Sequence, residues 1–127
     1  MNRSINAGVA ARIGTYSDAV EVSGAARVVH TSGTPGIDPA TGKLPAAFAD
    51  QAEQAWRNIE SILAEAGMGV EHIVKLTQTM IRREDLAAYR DIRSSHLGEH
   101  RPASMLSFVS ELVWPDMLIE LEVVASR

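Results

Sequence analysis

The apolar positions fall into two helical stripes and several short alternating runs. Phe48, Ala52, Trp56, Ile59, Leu63 and Ala66 recur at three- and four-residue spacing, which predicts a helix from Phe48 to Ala66. Gly67 follows as a natural stop, since a glycine just past a helix end takes the left-handed conformation that closes it. Leu86, Tyr89, Ile92, Arg93 and His96 mark a second helix ending at Gly98. Between the two, Ile73 to Ile81 alternates, with Val74, Leu76 and Met80 on one face and Lys75, Thr77 and Thr79 on the other. That pattern predicts a strand with one dry side.

Before the first helix, Val20 to Val22 and Arg27 to Ser32 are β-rich runs joined by Ser23-Gly24-Ala25-Ala26, which reads as a hairpin. Gly33 to Gly42 is a turn-rich loop by its glycines and prolines. After the second helix come two strands, Ser104 to Leu112 and Met117 to Ala125, turning at Trp114-Pro115-Asp116. In the last strand Met117, Ile119, Leu121 and Val123 point one way, while Glu120 and Glu122 point the other. The order β-β-α-β-α-β-β, with room for one more short strand near the N-terminus, predicts an α+β fold. Two helices cover only one face of such a sheet. The other face is expected to carry Thr77, Thr79, Ser104, Leu106, Phe108, Glu120 and Glu122. A mixed face with large apolar groups calls for a cover, and self-association is the economical one.

Composition narrows the chemistry. A chain of 127 residues is about one domain's worth, and no repeat, low-complexity tract or charge block marks a boundary within 1–127. A net charge of −4 argues against nucleic acid or an anionic membrane as the main partner, because phosphate binding needs a basic face. With no cysteine, disulfides, thiolate zinc sites and cysteine nucleophiles are excluded. Met1 to Ile13 has no apolar core of a signal peptide, and no apolar run approaches the roughly 20 residues of a membrane span, so a cytoplasmic location is expected by default.

Several motifs invite a chemical reading. His96-Leu97-Gly98-Glu99-His100 spells H-x-x-E-H, but zinc would need both histidines on one face of an intact helix and a third ligand downstream. Gly98 interrupts the motif, Pro102 follows, and no later Cys or His exists, so no metal is expected. Gly36 to Lys43 is no phosphate loop: five residues separate Gly36 from Gly42, and Leu44 follows Lys43 where a Ser or Thr is needed. Glu120 and Glu122 share one strand face, either as solvated or ion-paired groups or, if that face is buried at an interface, as a general base for water. Ser32 and Gly33 end a strand and open a loop, where substrate-facing groups are common. Tyr16 is either a hydrogen-bond donor to a ligand or a lid on the core.

Taken together the segments resemble the YjgF/RidA family, also labelled endoribonuclease L-PSP. The matching pieces are Tyr16-Ser17-Asp18-Ala19-Val20, Thr31-Ser32-Gly33 with Asp38-Pro39-Ala40-Thr41-Gly42, and Asn58-Ile59 with Ala66-Gly67. Ile73-Val74-Lys75, Pro102-Ala103-Ser104 and Ile119-Glu120-Leu121-Glu122-Val123-Val124-Ala125 complete the set, in the family's order from Tyr16 to the C-terminus. The resemblance implies a chorismate-mutase-like fold, with a mixed sheet of about six strands, two helices on one face and three copies closing a trimeric barrel. It implies clefts between subunits and hydrolysis of reactive imines or enamines to a keto product and ammonia, with no cofactor. By the same resemblance Tyr16 lines the cleft, Ser32 and Gly33 contact substrate, and Glu120 orients and activates the attacking water.

The departures from the family pattern bear on the substrate. Where the family has Pro-Ala-Arg-Ser, this chain has Pro102-Ala103-Ser104-Met105, so Ser104 stands at the position of an arginine that grips a substrate carboxylate. A hydroxyl does not reproduce that bidentate fork, and losing it costs about 2–5 kcal/mol of binding. Arg90 stands where the family has an asparagine in the second helix, and the stretch from Ser104 to Glu120 is longer by about one residue. Three functions follow: a divergent deaminase whose substrate lacks an α-carboxylate or is held by another cation, Arg90 or Arg101; a non-catalytic small-molecule-binding trimer; and a nuclease, against which the acidic balance speaks.

Overall fold

The structure, a computed structural model, describes residues 1–24 and 27–127. Its elements are β1 (Asn2–Ile5), β2 (Ala19–Val22), β3 (Val28–His30), β4 (Thr34–Pro35), α1 (Phe48–Glu65), β5 (Ile73–Met80), α2 (Leu86–Leu97), β6 (Ala103–Phe108) and β7 (Ile119–Ser126). Short 3-10 turns precede β5 and α2. Both helices stop as the glycines predict: Gly67 and Gly98 carry φ of 70° and 58°, and the Gly98 N–H donates back to the Ser94 carbonyl at 2.9 Å.

A mixed five-stranded sheet runs β3-β7-β5-β6, with β4 pairing β7 beyond the end of β3. β5 pairs antiparallel with β7 and parallel with β6, and a register shift interrupts its ladder between Ile73 and Lys75. The expected hairpin does not form. β2 pairs instead with the N-terminal β1, while β3 pairs with β7; Ala25 and Ala26 of the expected turn lie outside the described residues. The β-rich runs are real, but their partners are distant in sequence, and local turn chemistry carries no information about that.

Both helices lie on one face of the five-stranded sheet. Trp56, Ile59 and Leu63 of α1 are fully buried against Leu76 and Met80 of β5 and Ile119, Leu121 and Val123 of β7. Each such large apolar side chain contributes about 1.5–3 kcal/mol by leaving water. His96 fastens α2 to α1. Its ring stacks on Trp56 at 5.5 Å and 11°, Nδ1 lies 2.5 Å from Glu60, and Nε2 lies 2.8 Å from Glu53. His100 turns elsewhere, its Nε2 2.7 Å from the Ile73 carbonyl, so the two histidines of the H-x-x-E-H run do not converge.

The parity of β6 differs from expectation. In the parallel register Ser104, Leu106 and Phe108 sit beside Leu76, Gln78 and Met80, which places them on the helix-covered side. Met105 and Ser107 share the bare face with Thr77, Thr79, Glu120 and Glu122, and Met105 is 58% exposed there. β6 also ends at Phe108, and residues 109–118 form the crossing to β7.

Buried amides fix the loops. Gln51 Nε2 donates to the carbonyls of Pro45 (2.8 Å) and Asp116 (2.9 Å), and its Oε1 accepts from the Leu118 N–H at 2.8 Å. Asn58 Nδ2 donates to the carbonyls of Pro35 and Ile37 at 3.0 and 2.8 Å. Between those carbonyls, a Cβ on Gly36 would stand 2.2 Å from the Gln51 carbonyl oxygen, so this loop passes α1 only as glycine. Gln51→Leu keeps the volume and strands three main-chain groups, each worth about 1–3 kcal/mol when unsatisfied. The variant is expected to unfold at clearly lower urea concentration, with an unchanged m-value; an unchanged midpoint would show that the amide is not what holds these loops.

Candidate functional site

The predicted site residues separate into two groups within one chain. The first gathers at the β4–β7 edge. Thr31 is anchored to β7 twice, its N–H donating to the Val123 carbonyl at 3.0 Å and its Oγ1 accepting from the Val123 N–H at 2.9 Å. Thr34 then pairs with Leu121, and its hydroxyl donates to the Ser32 carbonyl at 3.0 Å. Ser32 and Gly33, pinned on both sides, are left exposed. Glu120, half-buried on the bare face, lies directly over Gly33: a Cβ there would come 1.8 Å from Glu120 Oε1. The absence of a side chain at position 33 makes room for the carboxylate.

The second group lines a cleft of about 660 Å³ between α2, β6 and residues 13–16, where Tyr16, Arg90 and Ser104 meet. Tyr16 is carried there by its neighbour Ser17, whose N–H donates to the Pro102 carbonyl at 3.2 Å and whose hydroxyl donates to the Arg101 carbonyl at 2.5 Å. One residue on, the Asp18 carboxylate accepts the N–H groups of Ala7 (2.6 Å), Gly8 (3.1 Å) and Ala10 (2.8 Å). These bonds, that from Ala10 foremost, hold its pKa below the ordinary aspartate value. Arg101 contributes no wall to this cleft; its Nη1 donates to the Gly98 carbonyl at 2.9 Å, at the end of α2.

Behind Ser104 lies a polar network that the alternation alone did not single out. Gln78 sits on the dry side of β5, wholly buried, and its Nε2 donates to Ser104 Oγ at 2.8 Å and to the Met105 carbonyl at 3.1 Å. Its Oε1 accepts from the Tyr89 hydroxyl at 2.7 Å and from Arg93 Nε at 3.1 Å. Burial raises the Tyr89 pKa far above the phenolic value, so it is a donor throughout the physiological range. A glutamine at a dry strand position and an arginine inside a helical apolar stripe were the legible signs of this network. A wider hollow of about 830 Å³ near Lys43, Arg82 and Trp114 is lined by none of the candidate site residues.

The two groups lie on opposite faces of the sheet, separated by β5, and one chain does not bring them together. What the arrangement offers is a carboxylate beside an exposed loop at one place, and an apolar cleft with hydroxyls, a carboxamide and guanidinium groups at another.

The model of the endoribonuclease L-PSP family matches residues 8–127; the chain belongs to that family, the YjgF/RidA family of the sequence resemblance. Among its relatives, a rat protein named 2-iminobutanoate/2-iminopropanoate deaminase is 34% identical over 116 residues, covering 91% of this chain and 82% of that one. Of solved structures, the Rid-family protein YyfB of Yersinia pestis superposes with a TM-score of 0.85 at 25% identity, covering 99% and 98% of the two chains. Escherichia coli TdcF with bound serine gives 0.75 at 30% identity, covering 98% and 94%.

Two outcomes test this geometry. Gly33→Ala should fold with little loss of thermal stability, since the site is exposed, yet displace the Glu120 carboxylate in a crystal structure of the variant; an unmoved Glu120 would show that the contact is dispensable. For Asp18, whose folded pKa is depressed, the hold on residues 7–10 is present above about pH 3.8 and is lost as the pH falls through the lowered value. Protection of the Ala7, Gly8 and Ala10 amides, taken against intrinsic exchange at the same pH, should therefore fall in that acid window before global unfolding, and Asp18→Asn should lower it in the same way at neutral pH.

Proposed function

We propose that the protein hydrolyses a small imine or enamine to a keto compound and ammonia, with water activated by Glu120, in clefts completed between copies of the chain. The observation that carries this reading is the seating of the Glu120 carboxylate over Gly33 beside Ser32, at the rim of the bare sheet face. A carboxylate there accepts a proton from water as the water adds to the C=N carbon and passes it to the nitrogen. The carbinolamine hydroxyl then gives up its proton by the same route as the C=O forms and the C–N bond breaks, so that nitrogen leaves as ammonia. The deaminase name of the rat relative supports the same reaction class.

Self-association into a trimer is part of the proposal. Tyr16, Arg90 and Ser104 line the cleft under α2, whereas Glu120, Ser32 and Gly33 edge the opposite face. A site using all of them needs the bare face of one copy against the cleft edge of another, which also covers Met105 and Thr79. No helix of the described residues is long and apolar enough to cross a membrane, so the bare face is not accounted for by a helical membrane span.

A second reading, a binding trimer without turnover, draws on Ser104. The residue carries no charge and is hydrogen-bonded to Gln78, where the sequence resemblance leads one to expect an arginine. The two readings part in one experiment. Freshly generated imines, with and without a carboxylate, are given to the wild type and to Glu120→Gln, and ammonia and keto product are measured. The catalytic reading expects turnover that falls about 100-fold or more in the variant. Equal rates in both proteins, or none on any imine alongside ligand-induced thermal stabilisation, would leave binding alone. A stable monomer by light scattering would remove the inter-subunit cleft from either.

A further inference from the structure

Gln78 is wholly buried behind the cleft, and its contacts leave the carboxamide one orientation. The Arg93 Nε–H can only donate, so the end of the carboxamide 3.1 Å from it is the oxygen, which also accepts from the Tyr89 hydroxyl at 2.7 Å. The other end is therefore the amino group. Its neighbour at 3.1 Å, the Met105 carbonyl, can only accept, which fits. The second Nε2 proton goes to Ser104 Oγ at 2.8 Å. Ser104 thus accepts from Gln78, and its own proton cannot turn that way. Among the described residues that proton has no acceptor, and Ser104 is half-buried in the cleft wall.

We propose that Gln78 is a positioning residue for the ligand of this cleft. It turns the Ser104 hydroxyl proton toward the ligand, so that the substrate is one whose C=N group is flanked by an uncharged acceptor, such as an ester or amide carbonyl. The proposal rests on the reading of the cleft as a small-molecule site, and it deepens that reading by naming the substrate class. A single neutral donor compensates a carbonyl for leaving water, whereas a desolvated anion needs charged donors. The nearby cations are engaged elsewhere. Arg93 spends Nε on Gln78 and turns Nη1 to Thr15, and Arg101 donates to the Gly98 and His100 carbonyls. Arg90 is exposed at the rim, where water screens it.

The test is an NMR titration with three related ligands: methyl 2-oxobutanoate, whose ester carbonyl accepts; hexan-3-one, with methylene groups in its place; and 2-oxobutanoate, the anion. The wild type is expected to bind the ester about 3- to 10-fold more tightly than either of the others. Ser104→Ala should bind the ester and hexan-3-one alike. In Gln78→Glu the side chain still accepts from Tyr89 and Arg93 but draws the Ser104 proton to itself. The ester then loses its advantage while hexan-3-one binds as before; a merely structural effect would weaken both. Binding of none of the three by the wild type, equal binding of ester and hexan-3-one, tighter binding of the anion, or an ester preference that survives either substitution would overturn the proposal. Should Gln78→Glu not fold, the Gln78 side-chain amide resonance decides. It must shift with the ester in the wild type and not in Ser104→Ala, and a resonance indifferent to the ester refutes the assignment. Turnover dependent on Glu120 is read separately, so its survival without these preferences would retire this inference and leave the proposed reaction standing.

Discussion

The two-residue period of β7 is the constraint on which the rest depends. Ile119, Leu121, Val123 and Ala125 must face the helices, because Trp56, Ile59 and Leu63 leave them nowhere else to shed water. Glu120 and Glu122 are therefore forced to the other face. A slip of one residue would bury two carboxylates and expose four apolar side chains, so the register of the strand and the position of its carboxylates are one decision.

The same logic, applied to β5, buries Gln78. Its dry-side position is fixed by Leu76 and Met80 on either side, and a carboxamide there has to be satisfied within the protein. It is satisfied by Tyr89 and Arg93 from α2 and by Ser104 and the Met105 carbonyl from β6. One polar residue in the central strand thus joins the helix layer to the edge strand, and it is this joint that defines the floor of the cleft. The apolar core and the cleft are built from adjacent residues of a single strand.

Much of this was legible in the sequence. The helices, their glycine ends and the faces of β7 and of β5 from Lys75 onward follow from local periodicity, which needs no knowledge of partners; at the register shift before Lys75 it is Ile73, not the expected Val74, that enters the core. The hairpin failed because β2 paired with β1, about twenty residues before it, and β3 with β7, about a hundred residues after it. β6 failed for a related reason: its alternation of Ser104, Leu106 and Phe108 against Met105 and Ser107 carries little contrast, and only its parallel pairing with β5 decides which set faces inward. Of the site, Tyr16, Arg90 and Ser104 do meet in one cleft, and Ser32, Gly33 and Glu120 do meet at one edge. That they form two groups on two faces was beyond a reading in one dimension, and Arg101 was drawn to carbonyls at the end of α2 rather than to the cleft.

The His96 clasp gives α2 a mechanical character that an apolar seam would not. A greasy contact lets a helix slide and roll at little cost, whereas an imidazole stacked on Trp56 and held at both nitrogens by Glu53 and Glu60 sets the rotation and height of α2 against α1. Tyr89, Arg90 and Arg93 ride on that helix, one to two turns away. Substitution of Glu53 or Glu60, neither of which lines the cleft, would release that hold and let the wall tilt, so drift at those two glutamates would tune the pocket without touching it.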